Sequence, residues 1–328
     1  MNDRIARAEY IWLDGAQPTR GLRSKTRILA LPAEGRPAPA DLPVWSFDGS
    51  STAQAPGDAS DLLLQPVRVV PDQFRGGRDV LVLCEVACED GAPHPSNTRA
   101  GLRDVLDAGG ADEEPLIGFE QEYTLYRGGA PLGWPSDGFP APQGPYYCGV
   151  GAARVFGRDV AEEHLDACLR AGLMVYGINA EVMPGQWEFQ VGYRGLEGES
   201  ADPLTVADHL WIGRWLLEHI GERHGIAINF ANKPVKGDWN GAGNHTNFST
   251  RSTRDPARGL DALFAAVVNL ERNHALHIAD YGHGLADRLT GKHETCSIEE
   301  FRHGVADRGA SIRIPRQVRS KGHGYFED

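Results

Sequence analysis

Two carboxylates flank a Pro-Gly pair in residues 177–191, which read GINAEVMPGQWEFQV. Proline and glycine suit the central positions of a type II turn, because Pro184 fixes φ and Gly185 accepts a positive φ. β-Branched and aromatic residues on both sides predict a hairpin around this turn. Folding about the pair places Glu181 opposite Glu188, and like charges in that position destabilise a sheet. We therefore expect a cation between the two acids; the alternative is a solvated hairpin edge that tolerates both.

Further acids and a histidine lie in segments with strand character. Residues 116–126 read LIGFEQEYTLY, and a strand would place Glu120 and Glu122 on one face because side chains alternate. In residues 238–250, DWNGAGNHTNFST, a glycine-rich turn leads into a short strand on which His245 and Asn247 share a face. Such ligands suit hard divalent cations such as Mg²⁺ or Mn²⁺, and their number suggests more than one ion. The set comprises Glu120, Glu122, Glu181, Glu188, Glu327 and His245.

Three arginines, Arg288, Arg308 and Arg313, accompany these acids. Two or more metal ions with nearby arginines fit phosphoryl transfer, in which metals bridge phosphate oxygens and arginines neutralise developing charge. The chain has no GxxxxGKS or GxxxxGKT sequence, so a P-loop enzyme is excluded. The residues alone indicate a metal- and ATP-dependent transferase or ligase, with a two-metal hydrolase as the competing interpretation.

The elements that position these residues follow from the hydrophobic pattern. Residues 8–90 are predicted to form a small β-rich domain, in which the polar loop DGSST at 48–52 follows an aromatic strand. Strands are predicted at 8–13, 25–31, 43–47, 80–86, 116–126, 226–230 and 311–315, and helices at 99–108, 159–171, 206–224 and 260–279. Residues 128–151 form a long loop, and residues 281–294 a polar, glycine-rich loop expected to be mobile.

Composition excludes several classes of protein. The net charge of −12 over 328 residues argues against a nucleic-acid-binding surface. There is no apolar stretch long enough to span a membrane and no secretory signal at the N-terminus. Five cysteines without a CxxC pair give no disulfide framework and no zinc signature. A cytoplasmic protein without membrane or nucleic-acid partners is expected.

Seven stretches resemble the signature motifs of type II glutamine synthetase, the eukaryotic-like class also found in some bacteria. They occur in the family's order: DGSST, GFEQEYTL, NAEVMPGQWEFQVG, NGAGNHTNFST, LTGKHET, ASIRIPR and GYFED. The resemblance implies an α+β fold with a small N-terminal β-grasp domain, placed at residues 1–95. It also implies a C-terminal catalytic domain, placed at 96–328, built on a curved, mainly antiparallel sheet with flanking helices. The implied reaction joins ammonia to L-glutamate with ATP, through γ-glutamyl phosphate.

The resemblance also assigns metal and nucleotide positions. It implies two or three Mg²⁺ or Mn²⁺ ions at each active site, with ATP as a substrate. Glu122, Glu181 and Glu188 match the ligands of the first metal, on the glutamate side. Glu120, His245 and Glu327 match those of the second, on the ATP phosphates. Asn247 and Ser249 lie where the nucleotide binds, and Arg308 and Arg313 match the arginines that neutralise phosphate.

The remaining matched residues concern glutamate and ammonium. Asp48 matches the acid that takes a proton from ammonium, supplied by a neighbouring subunit. The rest of the ammonium pocket corresponds to Ser51, Asp61, Tyr147 and Glu188. The residues that hold glutamate correspond to Asn240, Gly241 and Arg288. Glu294 matches the acid of a flap that shields the intermediate from water. The implied assembly is a homo-oligomer, a decamer of two pentameric rings with active sites between subunits.

The chain departs from the family's pattern in places. It stops at Asp328, where the family continues with two arginines, a proline and a final helix, so the catalytic domain is expected to be truncated. FANK at 230–233 replaces the more common FDPK, and residues 195–203 match no motif. Two alternatives follow: a related ligase that joins glutamate to another amine, and a catalytically weak relative with a regulatory role.

Overall fold

The computed structural model describes residues 5–31 and 35–328, which divide into two compact units. The first consists of the described residues up to Gly109 together with Ala167–Leu173. Its sheet has the strand order β2-β1-β5-β4-β3, with β1 and β5 parallel and the other neighbours antiparallel. The elements are β1 (Ile5–Leu13), β2 (Leu22–Ala30), β3 (Trp45–Asp48), β4 (Asp61–Pro71), β5 (Val80–Ala87) and α1 (Thr98–Asp107).

Strand β4 is the element of this unit that the sequence did not predict. It contains Pro66, which cannot donate to a sheet ladder and therefore argues against a strand. The structure accommodates Pro66 at a bulge, where the register with β5 shifts between Pro66 and Arg68. β4 brings Leu64 into the core of the unit, where Trp12, Phe47 and Val82 are also buried.

The second unit consists of Gly110–Asp166 and Met174–Asp328. Its strands are β6 (Leu116–Arg127), β7 (Ala130–Pro131), β8 (Val175–Ala180), β9 (Gln186–Val191), β10 (Ala227–Asn229), β11 (Asn244–Ser249), β12 (His303–Val305), β13 (Ile312–Ile314) and β14 (Phe326–Glu327). Its helices are α2 (Arg158–Ala171, the last part of which belongs to the first unit), α3 (Pro203–His224), α4 (Gly259–Arg272), α5 (His274–Asp280), α6 (Leu285–Arg288) and α7 (Arg316–Lys321).

Strand β6 is central to the sheet of the second unit. The strand order is β12-β13-β14-β11-β6-β9-β8, and β7 and β10 pair with the C-terminal part of β6. All neighbours are antiparallel except β12 and β13. The predicted α+β fold class, with a mainly antiparallel sheet and flanking helices in the larger unit, is confirmed.

The helices of this unit begin and end at residues with identifiable roles. Asp202 caps α3 by accepting the N–H of Thr205 at 3.0 Å, and Gly225 ends it in the left-handed conformation. The single helix predicted over 260–279 is wrong, because the structure has α4 and α5 separated at Asn273. The Asn273 side chain donates to the carbonyl of Asn269 at 2.8 Å, and such local bonding competes with a continuous helix. Within the glycine-rich loop at 281–294, residues 285–288 form α6.

The predicted Pro-Gly turn is present, but the predicted strand register around it is wrong. The N–H of Gln186 donates to the carbonyl of Met183 at 3.1 Å, and Gly185 has the expected positive φ of 74°. However, Glu188 lies opposite Asn179 rather than Glu181. The N–H of Glu181 instead donates to the carbonyl of Gln186 at 2.9 Å, so four residues rather than two separate the paired positions.

None of the helices in the described part of the chain combines the length and the apolarity that a membrane crossing requires.

Candidate active site

Three glutamates converge on one face of the larger sheet. Glu122 on β6 lies directly opposite Glu188 on β9, and Glu181 follows the end of β8. Each offers a carboxylate oxygen, and these oxygens all lie within 4.8 Å of one another. The sequence predicted that Glu181 and Glu188 face each other across the hairpin. In the structure the facing pair is Glu122 and Glu188, on β6 and β9.

Each acid of this trio accepts a hydrogen bond that fixes its direction. Asn179 donates to Oε1 of Glu181 at 2.8 Å, and Gln190 donates to Oε1 of Glu188 at 2.6 Å. Oε2 of Glu122 accepts the N–H of Gly243. Sequence reasoning did not identify Asn179 and Gln190. The signal was available, because each amide lies two residues from its acid, a spacing that gives one face of a strand.

Burial and mutual repulsion make this trio a basic site. Glu181 and Glu188 are only 8% and 7% exposed. Burial, together with Glu122 and Glu188, raises the pKa of Glu181 to about 8. Burial also raises the pKa of Glu188 to about 7, although the amide of Gln190 opposes the shift. Burial raises the pKa of Glu122 as well, against the attraction of Arg288. Three such carboxylates, two buried and one partly buried, fit a hard divalent cation, which would replace the protons that otherwise relieve their repulsion.

The second predicted metal set lies on the same sheet in a different arrangement. Glu120 and His245 are directly opposite each other on β6 and β11, and Nδ1 of His245 lies 3.5 Å from Glu120. Nε2 of His245 lies 3.5 Å from Glu327. Burial lowers the pKa of His245, which favours the neutral imidazole that a metal requires. Glu327 also accepts the Nε N–H of Arg313, directly opposite it on β13, so an arginine and a histidine share one acid.

The residues predicted to bind nucleotide lie beside this second set. Asn247 donates to Oε1 of Glu120 at 2.9 Å and lies opposite Glu327 in the β11–β14 pair. Ser249 is buried, and its hydroxyl accepts Nη1 of Arg254 at 2.9 Å. Asn247 is therefore part of the polar group around Glu120, whereas Ser249 contacts an arginine that the sequence did not single out.

Arg288 lies against the glycines of the loop before β11. A Cβ on Gly241 would lie 2.6 Å from Cγ of Arg288 and 2.7 Å from the carbonyl of Asn232. A Cβ on Gly243 would lie 2.7 Å from Nη2 of Arg288. Only glycine permits this approach of the side chain to the loop. Gln186, buried at the start of β9, donates to the carbonyl of Gly241 at 2.7 Å and fixes the loop from the other side.

The predicted flap acid and its neighbours lie in a strained segment. His293 and Glu294 both have positive φ, 55° and 60°, which is uncommon for residues other than glycine. Arg308 approaches Glu294 at 4.0 Å, and both side chains are exposed.

Tyr147, a predicted ammonium residue in the long loop at 128–151, is half exposed. Burial, followed by the charges of Cys148 and Glu181, raises the pKa of Tyr147.

The predicted ammonium residues of the first unit form their own group. Asp48 at the end of β3 lies directly opposite Asp61 at the start of β4. The hydroxyls of Ser50 and Ser51 each donate to the Asp48 carboxylate at 2.6 Å. The hydrogen bonds from Ser50, followed by that from Ser51, lower the pKa of Asp48 to about 2. Asp48 is therefore ionised throughout the neutral range and can attract a cation, and its role as the acceptor of a proton from ammonium stays a prediction.

The two units and the acidic trio define an α+β protein in which a cluster of carboxylates suited to a divalent cation lies on a mainly antiparallel sheet. The family model described as "Glutamine synthetase, beta-Grasp domain" matches residues 4–88. The one described as "Glutamine synthetase, catalytic domain" matches residues 98–258.

Similar proteins agree with this assignment. The chain is 56% identical over 325 residues to a glutamine synthetase of Streptomyces viridochromogenes, covering 98% of this chain and 90% of the relative. It is 54% identical over 331 residues to the chloroplastic glutamine synthetase of Chlamydomonas reinhardtii, covering 98% and 84%. It is 52% identical over 322 residues to that of Neurospora crassa, covering 98% and 85%. The chain belongs to the glutamine synthetase family, which confirms the prediction drawn from the motifs.

Proposed function

We propose that this chain makes L-glutamine from L-glutamate and ammonia with ATP, through γ-glutamyl phosphate formed beside the trio Glu122, Glu181 and Glu188. Glutamate–ammonia ligase activity follows from family membership, as does the use of ATP and a divalent metal. The roles given to individual residues are part of the proposal. The observation that carries them is the convergence of three carboxylate oxygens within 4.8 Å of one another, from two buried glutamates and one that is partly buried.

The trio and the Gly241 loop are proposed to hold glutamate for phosphorylation. Mg²⁺ or Mn²⁺ bound by the trio would polarise the γ-carboxylate of glutamate. Asn240, Gly241 and Arg288 are proposed to bind the amino acid, since the guanidinium of Arg288 offers a planar donor pair to a carboxylate. Because Gln186 fixes the Gly241 carbonyl and Gly243 accommodates Arg288, this binding surface is formed before glutamate arrives.

The second set is proposed to receive the phosphates of ATP. Glu120, His245 and Glu327 would hold one or two further Mg²⁺ or Mn²⁺ ions, with Asn247 and Ser249 near the nucleotide. Arg313, directly opposite Glu327, and Arg308 supply positive charge for the transferred phosphoryl group. Glu294, in the strained segment next to Arg308, is proposed to close over the intermediate and exclude water.

Ammonium is proposed to bind through the charges of Asp48 and Asp61 with Ser51, joined by Tyr147 and Glu188. The low pKa of Asp48 keeps it ionised and able to attract ammonium. Glu188, whose pKa is about 7, is a more basic carboxylate than Asp48 in the absence of metal. We propose that the chain has an N-terminal domain at 1–95 and a catalytic domain at 96–328. We also propose that it assembles into a decamer, in which Asp48 of the N-terminal domain reaches the active site of a neighbouring subunit. The cytoplasmic location stays a prediction.

The direct test is glutamine formation by the purified chain with ATP, Mg²⁺, glutamate and ammonium. Glutamine and ADP should form in equal amounts. Glu122→Gln should abolish their formation. Glu271→Gln, at an exposed position of α4, should leave it unchanged. Intact ATP binding without glutamine would contradict the proposal. A panel of methylamine, ethylamine and ammonium tests the alternative ligase. A preference for a bulkier amine would show that ammonia is not the substrate.

A further inference from the structure

The side-chain amide of Gln143 connects three separate segments of the larger unit. Gln143 lies in the long loop between β7 and α2. Its Nε2 lies 2.8 Å from Oδ1 of Asn240 and 2.9 Å from Nδ1 of His293. Its Oε1 accepts the backbone N–H of Asn240 at 2.7 Å. One side chain therefore contacts both a residue proposed to bind glutamate and the residue that precedes the proposed flap acid.

The donors and acceptors of this group can be assigned without ambiguity. A backbone N–H can only donate, so the atom of Gln143 that it contacts must be the oxygen and the other must be the nitrogen. The nitrogen has two hydrogens, one for Oδ1 of Asn240 and one for Nδ1 of His293. Nδ1 of a neutral His293 must then be the acceptor, and its Nε2 carries the hydrogen. That Nε2 lies 2.9 Å from Oδ1 of Asp238, which accepts it.

His293 is thus held from both sides of its ring, by Gln143 and by Asp238. The restraint falls on a strained backbone, because His293 and Glu294 are consecutive residues with positive φ. A conformation of this kind is unfavourable for residues other than glycine and persists only where the surroundings enforce it. Thr295, which follows, is buried, and its hydroxyl donates to the carbonyl of Lys292 at 2.8 Å.

We propose that Gln143 is a positioning residue that holds the Glu294 segment in place through His293 and sets the position of Asn240 at the same time. The inference rests on the proposed function, in which Glu294 shields the acyl phosphate and Asn240 contacts glutamate. It adds a physical link between the two, because loosening Gln143 releases both segments together. Gln143 would thereby couple phosphate release to glutamine formation. Without it, an intermediate exposed to water is hydrolysed to glutamate and phosphate before ammonia reacts with it.

The experiment replaces Gln143 by Glu, which keeps the shape and removes both donated hydrogens. The exposed Gln17 in the loop between β1 and β2, changed to Glu, is the matched control for the change of charge. The first readout is the ratio of phosphate released to glutamine formed at saturating ammonium. It should stay near one in the wild type and in Gln17→Glu, and rise at least threefold in Gln143→Glu, with an increased KM for glutamate. A ratio of one in folded, active Gln143→Glu would overturn the proposal.

The second readout does not need activity. Amide hydrogen exchange of residues 290–296 and of the segment around Asn240 should accelerate at least tenfold in Gln143→Glu, and unchanged exchange would contradict the positioning role. If the wild type makes no glutamine, the proposed function fails, and this readout still decides whether Gln143 holds the segment. His293→Ala, which leaves Gln143 in place, covers the case in which Gln143→Glu does not fold. It should accelerate exchange in 290–296. Where Gln143→Glu does fold, the double variant should add nothing in 290–296 to the effect of either single change, as expected for residues that act as a unit.

Discussion

Glu122 and Glu188 lie directly opposite each other on β6 and β9, in the interior of the larger sheet. Such a pair of like charges is unfavourable in a protein without a bound cation. Burial and these neighbours account for the raised pKa values of the trio. A metal ion bound by the trio would relieve this repulsion, and its binding would then be connected to protonation of the trio.

The first prediction is that binding of the metal releases protons. At pH 7, Glu181 and Glu188 are partly protonated because their pKa values are about 8 and about 7. Titration calorimetry with Mg²⁺ in two buffers of different ionisation enthalpy should report release of about one proton per ion at pH 7, falling towards zero at pH 9. Glu181→Gln should reduce the release. Equal heats in the two buffers at pH 7 would rule out this linkage.

The second prediction separates the two metal sets. Glu188→Gln removes a member of the trio and should weaken Mg²⁺ binding and raise the KM for ammonium at least tenfold. Glu120→Gln removes the partner of His245 and Asn247 and should mainly raise the KM for ATP. Initial-rate kinetics with each substrate varied in turn measures both effects. The division of roles is wrong if the two variants change the ATP and ammonium dependence equally.

The third prediction contrasts two glycines that contact the same arginine. Gly241→Ala brings a Cβ against a backbone carbonyl as well as Arg288, and should lower the free energy of unfolding by about 1–3 kcal/mol. Gly243→Ala meets the flexible end of Arg288, so stability should change little while the KM for glutamate rises about tenfold. Gly101→Ala on α1, where the added Cβ meets open space, is the control. Thermal melting and glutamate kinetics on the same preparations give the comparison, and similar losses of stability in both variants would refute it.

The fourth prediction concerns the facing pair of the first unit. Asp48→Asn and Asp61→Asn each remove one negative charge from the proposed ammonium site and should raise the KM for ammonium at least tenfold, with the KM for ATP unchanged. Asp58→Asn removes the same charge at an exposed turn and should change neither value. An equal rise in all three variants would show that only the overall charge matters.

The fifth prediction is a pH dependence of stability arising from His164. The side chain is fully buried, its Nε2 lies 2.9 Å from the carbonyl of Gly213, and its ring meets Phe189 edge-on at 4.8 Å. Burial lowers the pKa of His164 to about 4, below its ordinary value of 6.5. Between these values the unfolded chain binds a proton that the folded protein excludes, so stability is fully present above pH 6.5 and is lost as the pH falls towards 4.

This contribution amounts to about 3 kcal/mol over the interval, at about 1.4 kcal/mol for each pKa unit. Urea unfolding between pH 4 and 7 should therefore show a flatter profile for His164→Leu than for the wild type. Substitution of the exposed His303 by Gln should leave the profile as it is. Parallel profiles for the wild type and His164→Leu would assign the acid sensitivity to other groups.

Much of the site followed from alternation along single strands. The pattern of LIGFEQEYTLY placed Glu120 and Glu122 on one face before any partner strand was known. The register between strands could not be obtained in this way. The Pro184-Gly185 turn was identified correctly, yet two extra residues on one side shifted the partner of Glu188 from Glu181 to Asn179. A local turn preference fixes φ and ψ, whereas the register depends on the packing of the whole sheet.

Other parts of the site depend on contacts distant in sequence. The opposition of Asp48 and Asp61 was missed because Pro66 concealed strand β4. Gln143 gave no signal in its own loop, since its partners lie 97 and 150 residues further along the chain. Such amide groups are selected by tertiary geometry, and no periodicity reveals them.

Strand β6 carries one acid of each predicted metal set, Glu120 and Glu122, separated by a single intervening residue. Two residues of an antiparallel strand span about 6.8 Å, so the backbone repeat determines how far apart the two sets lie. Gln121, the intervening residue, points to the opposite face of the sheet. Its Oε1 accepts the Nε N–H of Arg214 at 2.9 Å, which holds the strand on that face. A slip of one residue would turn both acids away from their partners at once. The spacing of the two centres is therefore inherited from the repeat of the polypeptide rather than adjusted side chain by side chain.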